Sequence, residues 1–373
     1  MIGRMMKVKL AGAVVFSVII VIMIGTLTGC RSLPIGETTK EPTLLTTGTT
    51  TLGPEDTPTP TPTNTPTPSP IPTPTPKTVL VSFIGDTTLG QNRGVAPASY
   101  SFQSVVGEDY EYPFKNAVEV LGQDDMTLAN FEGTLTTSDS YRDKEFTFKG
   151  PLEYVQILQN GSIEAVNLAN NHSYDYYDAG LRDTRETLEA AGIVWSDSSY
   201  FSTYEVNGVK IGMAGFLFPY QTQPIYDAID ELREEGCDIV IISCHTGVER
   251  MYEPEASAVT LAHQIIDYGA DIYVGHHPHR LQPIEYYNGH YILYSLSNFC
   301  FGGQPNLTDP ETCIVQCRFT EKEDGSYGYE LTVIPYSMTS TFPGNDYCPV
   351  AYEVDSERYR SVMEKLHWSE ESE

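Results

Sequence analysis

From Val79 onward, short apolar runs rich in β-branched residues alternate with stretches whose apolar residues recur every three or four positions. The first pattern belongs to buried strands and the second to helices with one buried face. Ile225, Ala228, Ile229 and Leu232 show the helical spacing, and the run from Ile239 to Ser243 shows the strand. Helices are expected over Pro113–Leu121, after Pro151, over Leu181–Ala191 and around Leu261 to Ile266. Strands are expected at Val79–Ile84, Met126–Ala129, Ala165–Leu168, Val209–Phe216, Asp238–Ser243 and Asp271–Val274. Further on, Tyr291–Tyr294, Ile314–Phe319 and Tyr329–Ile334 read as antiparallel strands, with a turn at Asp324-Gly325. This order predicts a mixed α/β sandwich. In such sheets the loops after the strands gather along one edge, where residues distant in sequence can meet.

The first 77 residues lack this pattern. Arg4, Lys7 and Lys9 precede Leu10–Leu27, an uncharged run of 18 residues, and Leu27-Thr28-Gly29-Cys30 matches a bacterial lipobox. The expectation is a lipoprotein signal peptide over residues 1–29, with Cys30 lipidated after cleavage. The other reading is a single uncleaved transmembrane anchor, since the run approaches the ~20 residues that span a bilayer. Both place the remainder outside the cytoplasm and attached to the membrane. Residues 30–77 form a Thr/Pro-rich tract that cannot bury a core and reads as an extended, disordered stalk. The folded domain is expected over residues 78–350, with an acidic helix and tail over 351–373.

Charge narrows the range of partners. The chain holds 22 Lys and Arg against 50 Asp and Glu, and residues beyond 77 hold 16 against 46. A domain so acidic is not a nucleic-acid binder, because that binding depends on neutralising phosphates. An anionic substrate would need a local exception, for which Arg142, Lys144 and Lys149 are candidates, with Arg93 and Arg280 near other motifs. Six cysteines follow Cys30 without any Cys-x-x-Cys pair, and most sit in or beside apolar runs as small hydrophobes.

The chemistry lies in polar motifs at the ends of the strand-like runs. Gly275-His276-His277-Pro278-His279 places three histidines within a few positions after a buried strand. On an extended segment His277 and His279 share one side and His276 faces the other, so the first two are candidate ligands. His245 ends an apolar strand, and Gly247 behind it permits close approach to the backbone. Asn171 offers an amide oxygen to a hard cation, His172 beside it is a candidate proton donor, and Asp175 can orient that imidazole. Asp86 and Glu132 supply the carboxylates a dication needs. Asn130 is either a neutral ligand or a hydrogen-bonding support for Glu132, and Asn298 contacts substrate or supports a ligand. Asn130, Arg142, Lys144, Lys149, Arg280 and Asn298 form the expected substrate-facing set.

In order, Ile84 to Gly90, Ala129 to Gly133, Ala169 to His172, and Gly275 to His279 followed by Gln282 resemble the CapA family of poly-γ-glutamate capsule biosynthesis proteins. The resemblance spans residues 79–340. That family is similar in turn to calcineurin-like metallophosphoesterases, which implies a four-layer αββα sandwich and a two-metal centre. By position, Asp86, Asn171, His245, His277 and His279 match metal ligands, Glu132 stands for the bridging aspartate, and His172 matches the proton donor. Thr88 occupies the place of a ligand histidine, which leaves one cation site a ligand short. The resemblance implies divalent ions (Mn, Fe, Zn or Mg), an anionic polymer substrate such as poly-γ-glutamate, and membrane synthase or export subunits as partners. The activity it implies is metal-dependent hydrolysis of an amide or phosphoester. A polymer-binding scaffold without catalysis and a phosphoesterase of envelope substrates are the alternatives.

Overall fold

The computed structural model describes residues 75–94, 98–219 and 221–369. The expected signal peptide, Cys30 and nearly all of the Thr/Pro-rich tract lie outside these residues. Among the described residues no helix is long and apolar enough to cross a membrane.

Two sheets carry the architecture. The larger has eight strands, ordered Val350–Ala351, Tyr327–Ser337, Glu311–Glu321, Thr78–Thr88, Met126–Phe131, Ala165–Asn167 and Val194–Ser196, with Asn298–Phe301 paired to the end of Thr78–Thr88. The second runs Leu281–Tyr287, His290–Leu296, Ile272–His276, Ile239–His245, Val209–Leu217 and Ser202–Val206. Both are mixed: Thr78–Thr88 pairs in parallel with Met126–Phe131 and antiparallel with Glu311–Glu321. Ile239–His245 has parallel neighbours on each side.

Alternate residues of the strands explain the layering. Val79, Val81 and Phe83 of the large sheet share a core with Ile211, Ile239, Ile241, Ile272 and Val274 of the second. Their neighbours Ile84 and Ala129 pack outward with Phe102, Leu121, Ile157, Leu181 and Leu188 from the helical side. On the opposite outer face Val240, Ile242 and Tyr273 meet Ile225, Ile229, Leu232, Ile265 and Ile266 of the helices Gln223–Glu234 and Ala256–Tyr268. The result is the four-layer αββα sandwich. The described cysteines are all buried free thiols, most of them in these cores.

Two expectations change, and a third sheet was not foreseen. The strand from Val79 does not stop at Gly85 but runs through Asp86 to Thr88, because Asn298–Phe301 pairs alongside its end in parallel. Pro113–Leu121 is not one helix: a short 3-10 turn at Tyr112–Phe114 is followed by Val118–Leu121, with buried Pro113 in the turn. A small third sheet of Gln91–Asn92, Phe148–Gly150 and Thr134–Leu135 brings residues near 148 toward the strand ends.

Candidate metal centre

The parallel strands of both sheets end on the same rim. From the large sheet come Asp86, Asn130 and Glu132; from the second come His245 and His276. Asp86, Asn130, Glu132 and His245 are fully buried. Asp86, Glu132 and His245 offer ligand atoms that all lie within 4.8 Å of one another.

An amide chain sets their positions. Asn167 Nδ2 donates to Asn130 Oδ1 at 2.9 Å, and Asn130 Nδ2 donates to Asp86 Oδ1 at 2.8 Å while lying 3.2 Å from His245 Nδ1. Asn130 is therefore a buried brace between the sheets' ligands. It does not face substrate, and it holds Asp86 and His245, not Glu132. Asn298 is likewise buried and lies 2.8 Å from His279 Nδ1 through its Oδ1, so it orients that candidate ligand. Thr88 donates its hydroxyl to the carbonyl of Glu132 at 2.7 Å, which holds the Glu132 loop.

The histidines converge from the Gly275–His279 turn. His279 Nδ1 lies 3.1 Å from Asp86 Oδ2, and its Nε2 lies 4.0 Å from Glu132 Oε1. His277 Nδ1 lies 3.1 Å from His245 Nε2. His276, expected to face away, instead points into the cluster with Nδ1 3.5 Å from Asp86 Oδ1. The alternation that argued otherwise fails because His277 and His279 take positive φ, +98° and +52°, so the segment turns after His276.

His172 approaches the same oxygen of Glu132, with Nε2 3.7 Å from Oε1. Its Nδ1 lies 2.7 Å from Asp175 Oδ2, which also accepts from the Phe148 amide at 2.6 Å. Burial lowers the pKa of His172 below that of an ordinary histidine, against the opposing pull of Asp175. Lys144 completes this corner: Nζ lies 2.5 Å from Asp175 Oδ1 and donates to the Asn171 carbonyl at 2.9 Å. The rest of the expected basic set is less central. Arg142 is exposed and touches the site through its backbone amide, which donates to the Asp175 carbonyl at 2.8 Å. Lys149 is committed to the Ser138 carbonyl and Asp139, and Arg280 to the His279 carbonyl and Thr308.

The donor set fits a divalent ion by a physical test. Asp86 Oδ2, both oxygens of Glu132, Asn171 Oδ1 and both ring nitrogens of His276 are buried without a hydrogen-bond partner among the described residues. Leaving so many polar atoms unsatisfied costs roughly 1–3 kcal/mol each unless a cation takes up their lone pairs. Burial pushes the Glu132 carboxyl up to about 8. Burial alone would lower His279, but Glu132 and Asp86 push it up to about 9. Burial would raise Asp86, yet the close imidazoles of His276 and His279 hold it well below the usual carboxylate range. His245 and His277 are both lowered by burial, which keeps neutral imidazoles ready as ligands. A surface cleft of about 660 Å³ lined by Trp195, Tyr200 and Glu231 lies elsewhere and gathers no comparable donor set.

A family model described as "Bacterial capsule synthesis protein PGA_cap" matches residues 80–303, which include every ligand candidate above. The chain belongs to this family. Among its relatives, PGA biosynthesis protein CapA of Bacillus subtilis is 29% identical over 311 residues, covering 76% of this chain and 77% of that protein. Capsule biosynthesis protein CapA of Bacillus anthracis is 28% identical over 283 residues, covering 68% and 67%. Solved structures align more loosely. A Thermus thermophilus protein covers 63% of this chain and 93% of its own at 11% identity, with a TM-score of 0.37. Zinc-complexed Vps29 of Entamoeba histolytica covers 74% and 98% at 14% identity, with a TM-score of 0.29. In this PGA_cap member Glu249 and His276 also join the rim: His276 lies in the histidine motif but was expected to face away, and no motif spacing announced Glu249. Asn167 could have been noticed as a polar residue inside an apolar run.

Proposed function

We propose that this PGA_cap protein is a membrane-anchored, extracytoplasmic metal-dependent hydrolase acting on an anionic capsular polymer of the poly-γ-glutamate type. Membership in a capsule-synthesis family and relatives named for PGA and capsule biosynthesis support the polymer. The lipobox ending in Cys30 supports a lipid anchor, with membrane synthase or export subunits as partners. The observation that carries the hydrolase is the set of buried, partnerless oxygens and ring nitrogens on one rim, contributed by both sheets.

Asp86, Glu132, Asn171, His245, His276, His277 and His279 would hold the metal. A divalent ion there (Mn, Fe, Zn or Mg) supplies Lewis-acid polarisation and an activated water. His172, held by Asp175 through Nδ1, presents Nε2 toward the same rim, where it would take a proton from the attacking water and pass it to the leaving group. Lys144 places positive charge beside His172 in a domain that otherwise repels polyanions.

The test uses the full-length chain, with elemental analysis and hydrolysis assays on poly-γ-glutamate oligomers and on aryl phosphates. Metal content that is lost in Asp86→Ala, and polymer cleavage lost in both Asp86→Ala and His172→Ala, is the expected result. A chain that binds metal yet cleaves neither substrate, and whose His172→Ala variant restores capsule in cells, is a scaffold. Cleavage of aryl phosphates alone makes it a phosphoesterase.

A further inference from the structure

The rim has a second focus. Glu249, His277 and His279 offer ligand atoms that also lie within 4.8 Å of one another. We propose that Glu249 supplies the carboxylate of a second cation site, together with His277 and His279, in place of the ligand missing at Thr88. This rests on the metal-centre reading above and adds to it a residue from a different loop.

The Thr88 hydroxyl is turned to the backbone, donating to the carbonyl of Glu132 at 2.7 Å. Glu132, in contrast, lies between the two foci: Oε1 is 3.8 Å from His245 Nε2 and 4.0 Å from His279 Nε2, and neither oxygen has a hydrogen-bond partner among the described residues. One carboxylate with two free oxygens can face an ion on each side. Metal–ligand bonds of about 2.1 Å in a tetrahedral site place ligand atoms about 3.4 Å apart, so the second triad must draw in by up to about 1.4 Å around an ion, which the exposed Glu249 side chain can supply.

Backbone contacts present Glu249 to the histidine turn. The Thr246 amide donates to the His276 carbonyl at 3.0 Å, and the Arg250 amide donates to the Pro278 carbonyl at 2.7 Å. Glu249 stands between these two clamps. Gly247 supplies the turn of this loop, with a φ of +108° that L side chains rarely adopt. Phe218 packs edge-on against the His277 ring at 4.8 Å between centroids, fixing that imidazole. The positive φ of His277 and His279 is strain held by these contacts, of a kind that clusters at ligand-binding positions. Among the described residues Glu249 is exposed and makes no hydrogen bond or ion pair, so its carboxylate is available from solvent.

The experiment is calorimetric titration of the metal-stripped full-length chain with Mn²⁺, with bound metal counted by elemental analysis. The wild type is expected to take two ions. Glu249→Gln, an isosteric change at an exposed site, is expected to take one, or to bind the second at least about tenfold more weakly. Glu253→Gln, on the same loop, should keep both. Wild-type stoichiometry and affinity in Glu249→Gln would overturn the proposal, as would a wild type that takes a single ion; both leave the metal-centre reading standing. A wild type that binds no ion overturns both.

Discussion

Glu132 and His279 titrate as a pair: burial pushes the carboxyl up to about 8, and the ionised carboxyl in turn pushes the imidazole up to about 9, so the pair holds at least one proton at neutral pH when no cation is near. A metal needs both in their deprotonated forms, so binding must expel protons. For Glu132 the sign is clear: burial raises it, the bound ion lowers it, and affinity weakens as pH falls below about 8. Titrations with Mn²⁺ near pH 7, in buffers of different ionisation enthalpy, should report release of at least about one proton per saturated protein. A buffer-independent heat would contradict this. Asp175 makes a separate prediction. Asp175→Asn weakens the clamp on His172 and the pairing with Lys144, so turnover should fall about 10–100-fold with metal content unchanged. Loss of metal in that variant would instead assign Asp175 to holding Asn171. At this scale the sequence exposed the residues whose chemistry is unusual after an apolar run: Asp86, Glu132, His245, His277 and His279. It hid the ones whose role depends on backbone direction. His276 joins the cluster because the chain turns after it, and Glu249 because two amides clamp its loop, and side-chain alternation reports neither.

Between residue and fold, the rim is assembled by strands that approach without side chains between them. A Cβ on Gly85 would lie 2.1 Å from the Ser297 carbonyl oxygen, and the neighbouring Asp86 amide donates to that same oxygen at 2.9 Å. This contact seats the Leu296–Asn298 turn, in which Ser297 has a φ of +64°, and hence seats Asn298 against His279. Gly85→Ala must push the turn away. The expected cost is about 1–3 kcal/mol of stability, as for overpacking, together with about 10–100-fold weaker metal binding through the displaced Asn298. Thermal melting and Mn²⁺ titration of the same variant check both, and a stable variant with wild-type affinity would show that the turn does not seat the ligand. Long elements were legible because burial repeats in them: Ile239–His245 and Gln223–Glu234 follow their apolar periods closely. Asn298–Phe301 and the three short strands near 91, 134 and 148 were not, since two to four residues carry too little period, and their pairing is decided by distant partners.

For the molecule as a whole, the two sheets share one inner core, and the last helix seals its edge. Val362 and Leu366, near the end of the helix Glu357–Lys365, are fully buried in that core, and Trp368 packs edge-on against Tyr291. The Leu366 carbonyl accepts from the Ile284 amide at 2.9 Å, capping part of the edge strand Leu281–Tyr287. The same helix neutralises a buried acid: Glu311 has a fully buried side chain and meets Arg358 at 2.9 Å and Lys365 at 2.7 Å. Truncation after Asp355 therefore removes two buried aliphatic side chains, worth about 1.5–3 kcal/mol each. It also leaves Glu311 buried without its cations and bares the strand edge. With about 2–4 °C lost per kcal/mol in a domain of roughly this size, the metal-free truncated chain should melt about 10 °C lower. The uncovered edge should in addition promote self-association, visible by light scattering. A truncated chain that melts within a degree or two of the full chain would mean that the inner core closes without this helix.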